Sequence, residues 1–384
     1  MRYNKTIFAA VAAVLVFSCF SSGAKAAESS NGDLRMIPVI VNGQKVKFPD
    51  TEPFINKDGR TMVPVRFISE KLGGTVAWDS DTHIVTIQSG SKEITLPIGS
   101  KAVKVDGKEI SLDTSAALEE GRTVVPLRFV SEVLDSTVEW DDAAHAVKIT
   151  DAAYAAKVAQ GEISLDAWGR ELSKTWDPDW IRLSDLPQEF YDIPTLSSLA
   201  LSESNRSMFH SSNPWTIEDL NATANRIKKY YAVVLNVDYR TIDEDAFIKG
   251  ILETMPDTRK SSIDLFTHVG KLYVAWAKEN HIITKGYADP EISQIRSDGG
   301  YPVVRTHFKF MIISADDTSQ TFIDNWDVSE KSESIFLKKN VWYDGYADVT
   351  TVTYVGTDPR QHIVISGGEH MFKKNRYFYN EITS

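Results

Sequence analysis

Residues 59–87 read GRTMVPVRFISEKLGGTVAWDSDTHIVTI, and residues 121–149 read GRTVVPLRFVSEVLDSTVEWDDAAHAVKI. Aligned without gaps at an offset of 62, 17 of the 29 positions are identical, so the chain carries a duplication. A shorter piece upstream repeats as well: Val41-Asn42-Gly43-Gln44 answers Val105-Asp106-Gly107-Lys108 at an offset of 64.

Both copies predict the same local structure. Asn42-Gly43 and Asp106-Gly107 lie between alternating apolar stretches, and both pairs suit the positive φ angles of a two-residue hairpin turn. Pro64 and Pro126 are expected to open short helices, because a proline at the first helical position loses no hydrogen bond. Phe67, Ile68 and Leu72, answered by Phe129, Val130 and Leu134, have the spacing of a buried helical face. Gly73-Gly74 and Asp135-Ser136 end these helices. Residues 75–78 and 137–140 read as strands that pair across a turn with 84–87 and 146–149. Each unit is ββαββ-like, a small antiparallel sheet on one short helix.

The pattern G-R-T-x-V-P-x-R-F, a short helix, T-V-x-W-D and an alternating strand resembles the copper amine oxidase N-terminal (stalk) domain family. The resemblance covers about residues 37–150, with internal repeats at 37–88 and 101–150. It implies an appendage to exported proteins, many of them from Gram-positive bacteria, that serves envelope attachment or protein contact without chemistry of its own. The oxidase activity in the family's name does not carry over. Such an oxidase makes its quinone from the tyrosine of an Asn-Tyr-Asp/Glu context, and this sequence has no Asn-Tyr pair. Its copper needs a His-x-His pair and a third histidine, and none of the eight histidines are spaced that way. No cofactor or metal is expected.

The repeat signature comprises Arg60, Pro64, Arg66 and Trp78, matched by Arg122, Pro126, Arg128 and Trp140. Exposed tryptophans would serve as carbohydrate-stacking platforms, but the expectation is that Trp78 and Trp140 are core aromatics of a small sheet. Arg66 and Arg128 either grip an anionic wall polymer or, as expected, pair with a nearby carboxylate or carbonyl. His83 and His145 recur at equivalent positions, and one histidine per copy makes no metal site.

Arg2 and Lys5 precede an apolar run from Ile7 to Phe20, and a small-residue segment ends in Ala24-Lys25-Ala26-Ala27. This is the plan of a secretory signal peptide over 1–26, cleaved between Ala26 and Ala27, and its apolar run is shorter than a membrane span. The alternative is lipidation at Cys19, the only cysteine, which would give membrane contact. Cleavage leaves a chain without cysteine, and so without disulfides or a thiol nucleophile. Residues 1–26 hold three basic residues and no acid, so the net charge of −11 becomes −14 in the remainder. A chain this acidic, lacking a basic block, is not expected to bind nucleic acid.

Beyond Thr150 the pattern changes. Residues 151–176 read as helical, broken at Gly161, with Trp168 and Leu172 on one face; 151–215 as a whole reads as a helical or irregular linker, or a wrapping segment. Residues 216–384 read as one α+β domain, helices first and antiparallel strands after, an order shared with cystatin- or NTF2-like cones. Thr216-Ile217-Glu218-Asp219 resembles a capping box, ahead of a stripe of Ile217, Leu220, Ala224, Ile227, Tyr231 and Val234. Further helices are expected over 243–255 and 262–279, the latter with Ile263, Phe266, Val269, Tyr273 and Trp276 inward. Strands follow at 304–312, 341–355 and 361–366, with turns at 297–300 and 357–359.

Zinc, nucleophile-elbow, phosphate-loop and dinucleotide motifs are all missing from the sequence. Arg305, His307 and Lys309 alternate with the apolar face of one strand, giving either an anion-binding face or, more simply, a solvated one. Asp316-Asp317 and Glu369-His370 are candidate carboxylate or metal positions, and also common turn pairs. The leading expectation is a secreted, extracellular, envelope-associated protein without catalytic activity. In it the duplicated module is an adaptor for a cell-wall polymer or envelope protein, and the C-terminal domain a binding unit. The rivals are a wall-directed hydrolase with facing carboxylates in 216–384 and a lipoprotein solute binder.

Overall fold

Asn42 and Gly43 have φ of 48° and 73°, and Asp106 and Gly107 have 49° and 75°, the left-handed pairs a type I′ turn requires. The structure, a computed structural model, describes residues 36–49, 51–119, 121–174, 182–192, 216–254, 260–298, 301–326, 337–353, 363–365, 371–372 and 377–382. The export segment with Cys19, Ala26 and Ala27, the turn at 357–359 and Glu369-His370 lie outside the described residues.

The turns close the hairpins of β1 (Val39–Val41) with β2 (Gln44–Lys45) and, in the second instance, of residues 102–105 with 108–111. Between them run β3 (Phe54–Ile55), β4 (Thr61–Pro64), α1 (Val65–Lys71), β5 (Thr75–Asp79), β6 (Ile84–Ser89) and β7 (Lys92–Pro97). Next come β8 (Ala102–Val105), β9 (Lys108–Ser111), β10 (Ala117–Glu119), β11 (Arg122–Pro126), α2 (Leu127–Val133), β12 (Ser136–Asp141) and β13 (Ala146–Asp151). Each long repeat is therefore strand, helix, hairpin. Pro64 caps α1 from the end of β4, with φ −61° and ψ 112°, instead of occupying its first turn. An extended proline joins strand to helix without needing an N–H on either side. Gly73 and Asp135 leave the two helices in the left-handed conformation, φ 79° and 56°.

The copies share strands. β4 pairs antiparallel with β11, with Val63 opposite Val125, so equivalent residues face each other across a local two-fold axis. β13 of the second copy pairs in parallel with β1, whereas β6 of the first copy continues into β7 and the β8–β9 hairpin. One apolar core joins Ile68, Val85 and Ile87 of the first copy to Val130, Val147 and Ile149 of the second.

After β13 come α3 (Ala152–Ala159), α4 (Gln188–Asp192), α5 (Ile217–Val234), α6 (Glu244–Thr254) and α7 (Lys260–Glu279). They are followed by β14 (Ile283–Asp298), β15 (Tyr301–Ser314), α8 (Ile323–Trp326), β16 (Trp342–Thr353), β17 (Ile363–Ile365) and β18 (Tyr377–Ile382). The sheet is antiparallel in the order β14-β15-β16-β17, with β18 also on β16, and the long helices α5, α6 and α7 precede it in the chain, an α+β arrangement. Gly345 lets β18 lie close, since a Cβ there would fall on the Phe378 carbonyl.

Helix α5 starts on the capping box read from the sequence, Thr216 and Asp219 bonding reciprocally. Its stripe is buried except for Ile217, which stays exposed in the first turn. Similarly, α7 buries Gly270, Tyr273, Val274 and Ala277, and Ile263 near its start is exposed. The helical reading of 151–176 holds only for α3. Gly161 (φ 75°) ends that helix, and the Asp166 carboxylate then takes the backbone amides of Trp168 and Arg170 into a tight turn. Bridges Leu165↔Glu171 and Leu172↔Leu183 continue this wrapping segment.

Val304, Thr306, Phe308, Phe310 and Ile312 face the helices, as the alternation predicts, with Phe308 edge-on to Tyr231 at 4.6 Å. The opposite sheet face is covered too. Phe48 and Glu52 of the module, together with Phe190 of α4, lie over it.

Candidate functional site

Arg305, His307 and Lys309 do share one side of β15, but the expectation that water covers that side is incorrect: they are only 1%, 7% and 0% exposed. Buried polar side chains need partners, and each of these three lies against a carboxylate. Arg305 sits opposite Asp348 in the β15–β16 register and bonds both its oxygens, at 2.8 and 3.1 Å, while also donating to the Phe190 carbonyl. His307 Nε2 lies 3.1 Å from Asp344. Lys309 Nζ donates to the Phe48 carbonyl at 2.7 Å and to Glu52 at 2.8 Å, and Tyr287 donates to the same Glu52 oxygen at 3.1 Å. Burial holds the Glu52 carboxyl above the ordinary carboxylate range, against the pull of Lys309.

A second cluster lies beside it. Between Pro290 and Ile295 the register of β14 against β15 breaks, and Glu291 in this stretch is buried beside Asp289. Glu291 and Asp289 receive Lys45 at 3.1 and 2.7 Å, and Arg170 bridges Glu291 to Asp185 at 2.8 and 2.7 Å. Burial opposes the charge of Glu291, but Lys45 and Arg170 prevail and hold its carboxyl at about 2. The adjoining cavity, between Trp168, Lys228 and Pro290, measures about 40 Å³. That suits a water or two and falls far below the roughly 300 Å³ of a small-molecule pocket. With their oxygens held by cations, these carboxylates serve as a clasp between module and sheet.

The second copy of the repeat is tied into the same contact. Asp141 takes the amides of Ala143 and Ala144, and His145 turns the chain at φ 48°. Helix α5 docks on this turn, Asn225 bonding the Ala143 carbonyl at 2.9 Å and Lys228 the Ala144 carbonyl at 3.1 Å. The first copy makes the same turn with Asp79 and His83 (φ 54°), but residues 79–83 are all exposed.

Both tryptophans lie outside the core, Trp78 being 40% and Trp140 46% exposed, which corrects the expectation of burial. β5 and β12 are the edge strands of their sheets, and each tryptophan stands one residue before the end of its strand. Around Trp78 a groove of about 290 Å³ opens. Arg66 and Phe67 of α1, Val76 of β5, Leu118 of β10 and Arg122 of β11 line it, so it draws on both copies. Leu118 is 55% exposed.

The polar groups of the two copies have different fates. Trp140 Nε1 donates to Asp142 at 2.6 Å, Arg60 is ion-paired with Asp113, and Arg128 is engaged within the chain. In the first copy Ser80 replaces Asp142, so Trp78 has no carboxylate at that position. Among the described residues, no hydrogen bond reaches Trp78 Nε1 and no partner reaches the exposed Arg66 guanidinium. The described residues thus supply no partner of the kind expected for Arg66, whereas Arg122 is engaged.

Residues 40–149 match the family described as the copper amine oxidase N-terminal domain. A protein of Brevibacillus choshinensis named "Protease inhibitor" is 26% identical over 130 residues, 34% of this chain and 38% of the relative. The alignment thus spans well under half of that relative's length. No helix among the described residues is long and apolar enough to cross a membrane.

Proposed function

We propose that the chain is an exported, envelope-associated protein without catalytic activity, in which the duplicated module is an adaptor for a cell-wall polymer or envelope protein. One observation carries this reading: the Asp141–His145 turn of the second copy holds helix α5, while the equivalent turn of the first is exposed and, among the described residues, Trp78 Nε1 and Arg66 have no hydrogen-bond partner beside an open groove. Duplication lets one surface dock internally and its twin dock externally. The match to a stalk-like domain supports a contact role. The hydrolase alternative finds less support, because Asp289 and Glu291 are held by Lys45 and Arg170 beside a cavity too small for a substrate.

Co-sedimentation with purified cell walls and with envelope membranes tests the adaptor role. Retention of the full chain, lost in Arg66→Glu, supports it; a chain that stays in the supernatant with both fractions overturns it. A second reading, inhibition of an exported protease, follows only the name of the relative. Undiminished protease activity in the presence of the full chain would dismiss it.

A further inference from the structure

The groove of the first copy has a chemistry narrow enough to name its ligand class. Among the described residues its lining holds no carboxylate and no amide side chain; Arg66 and Trp78 offer donors, and Thr123 adds a hydroxyl. Sugar hydroxyls each bring a proton that needs an acceptor, and the Thr123 hydroxyl is the one side-chain acceptor of the described lining, so a neutral glycan is poorly matched here. A carboxylate needs donors only. The planar fork of Arg66 matches its two oxygens, and guanidinium is the cation most suited to such pairing at an interface. The walls are apolar, formed by Phe67, Val76, Val85 and Leu118. A bare polyanion such as a phosphate polymer has nothing to place against them.

From these features we infer that the groove receives an acidic peptide segment of a partner protein, with an apolar side chain against Phe67, Val76 and Leu118 and a neighbouring carboxylate on Arg66. The inference rests on the adaptor reading and narrows its partner from envelope components in general to a protein. Trp and Arg are among the residue types that dominate protein–protein binding energy. The chain's net charge of −11 opposes an acidic partner at long range. At 0.15 M salt that repulsion is screened beyond about 8 Å, so the local guanidinium decides the contact. The second copy is the internal control: its tryptophan already has a carboxylate of its own in Asp142.

The test is isothermal titration of the full chain with a synthetic peptide of alternating leucine and glutamate, capped at both ends. A peptide with glutamine in place of glutamate, and a chitin oligosaccharide, are the comparison ligands. The leucine–glutamate peptide is expected to bind, and to weaken about tenfold or more with Arg66→Glu or Trp78→Ala, as loss of a central contact does. Trp140→Ala should leave its binding within about twofold. Thermal melts confirm that the variants fold, and Trp78→Phe, which keeps the ring and loses the N–H, gives a milder second reading.

Equal binding of the glutamine peptide, tighter binding of the oligosaccharide, insensitivity to Arg66→Glu, or self-association of the chain through this groove would each overturn the inference. If envelope fractions retain the chain in an Arg66-dependent way while the peptide does not bind, the adaptor reading stands and the acidic-peptide inference falls. Peptide binding without envelope retention separates them the other way.

Discussion

Replacing Lys309 by methionine removes an ammonium that has no access to water and leaves its neighbours in place. Two charge-assisted bonds go, to the Phe48 carbonyl at 2.7 Å and to Glu52 at 2.8 Å. Methionine fills most of the stem, so the loss is electrostatic. Glu52, 7% exposed, keeps only the Tyr287 hydroxyl as a donor, and its other oxygen has no partner among the described residues. Breaking one side of a buried ion pair costs about 3–5 kcal/mol. Glu52 has an escape, since burial already raises its pKa, and without Lys309 it retains a proton more readily still. A group whose folded pKa is raised contributes stability at low pH and loses it as pH rises through that value. The Lys309→Met penalty should therefore be near ~4 kcal/mol at pH 8 and clearly smaller at pH 5, measured by urea unfolding. Adding Glu52→Leu should recover at least ~2 kcal/mol, because an apolar pair replaces a buried ion pair at little cost. A penalty below ~1 kcal/mol at both pH values, or a double variant no better than the single, would refute the clasp.

Gly107→Ala and Gly43→Ala compare the same turn in two settings. Both residues have positive φ, so each substitution costs about 1–2 kcal/mol of backbone strain. Only Gly43 lies under Tyr154 and Glu171, so its variant should melt at the lower temperature. In Gly345→Ala the new methyl must push β18 off β16, for about 2–3 kcal/mol in the same urea assay. Glu291 is held at about 2, below its ordinary 4.5, so its contribution is present above pH 4.5 and disappears as pH falls toward 2. Glu291→Gln should accordingly flatten the decline of stability with acid between pH 5 and 2, read as urea midpoints across a pH series.

Elements set by local chemistry were legible in the sequence. The Asn42-Gly43 and Asp106-Gly107 turns, the Thr216–Asp219 box and the Val304–Ile312 face follow from φ preference, capping and period-two alternation, each a short-range property. The burial of Arg305, His307 and Lys309 was not legible, because alternation reports which side a residue takes but not what covers that side. Their cover arrives from residues 48, 52 and 190, more than 100 positions away. The register break in β14 beside Glu291 was not legible either, because only pairing with β15 reveals it. The size and apolarity of tryptophan suggest core burial for Trp78 and Trp140, yet both stand near the ends of edge strands and stay exposed. One signal for the groove was present in the sequence: Ser80 in the first copy stands where Asp142 stands in the second.

The central claim is that the equivalent tryptophan-and-turn surfaces of the two copies are divided between internal and external docking. The most direct measurement is a side-by-side envelope co-sedimentation of the wild-type chain, Arg66→Glu, Trp78→Ala and Trp140→Ala, each first shown to melt like the wild type. The account predicts that the first-copy variants lose retention and that Trp140→Ala keeps it. Equal retention of all four chains, or loss confined to Trp140→Ala, would contradict it.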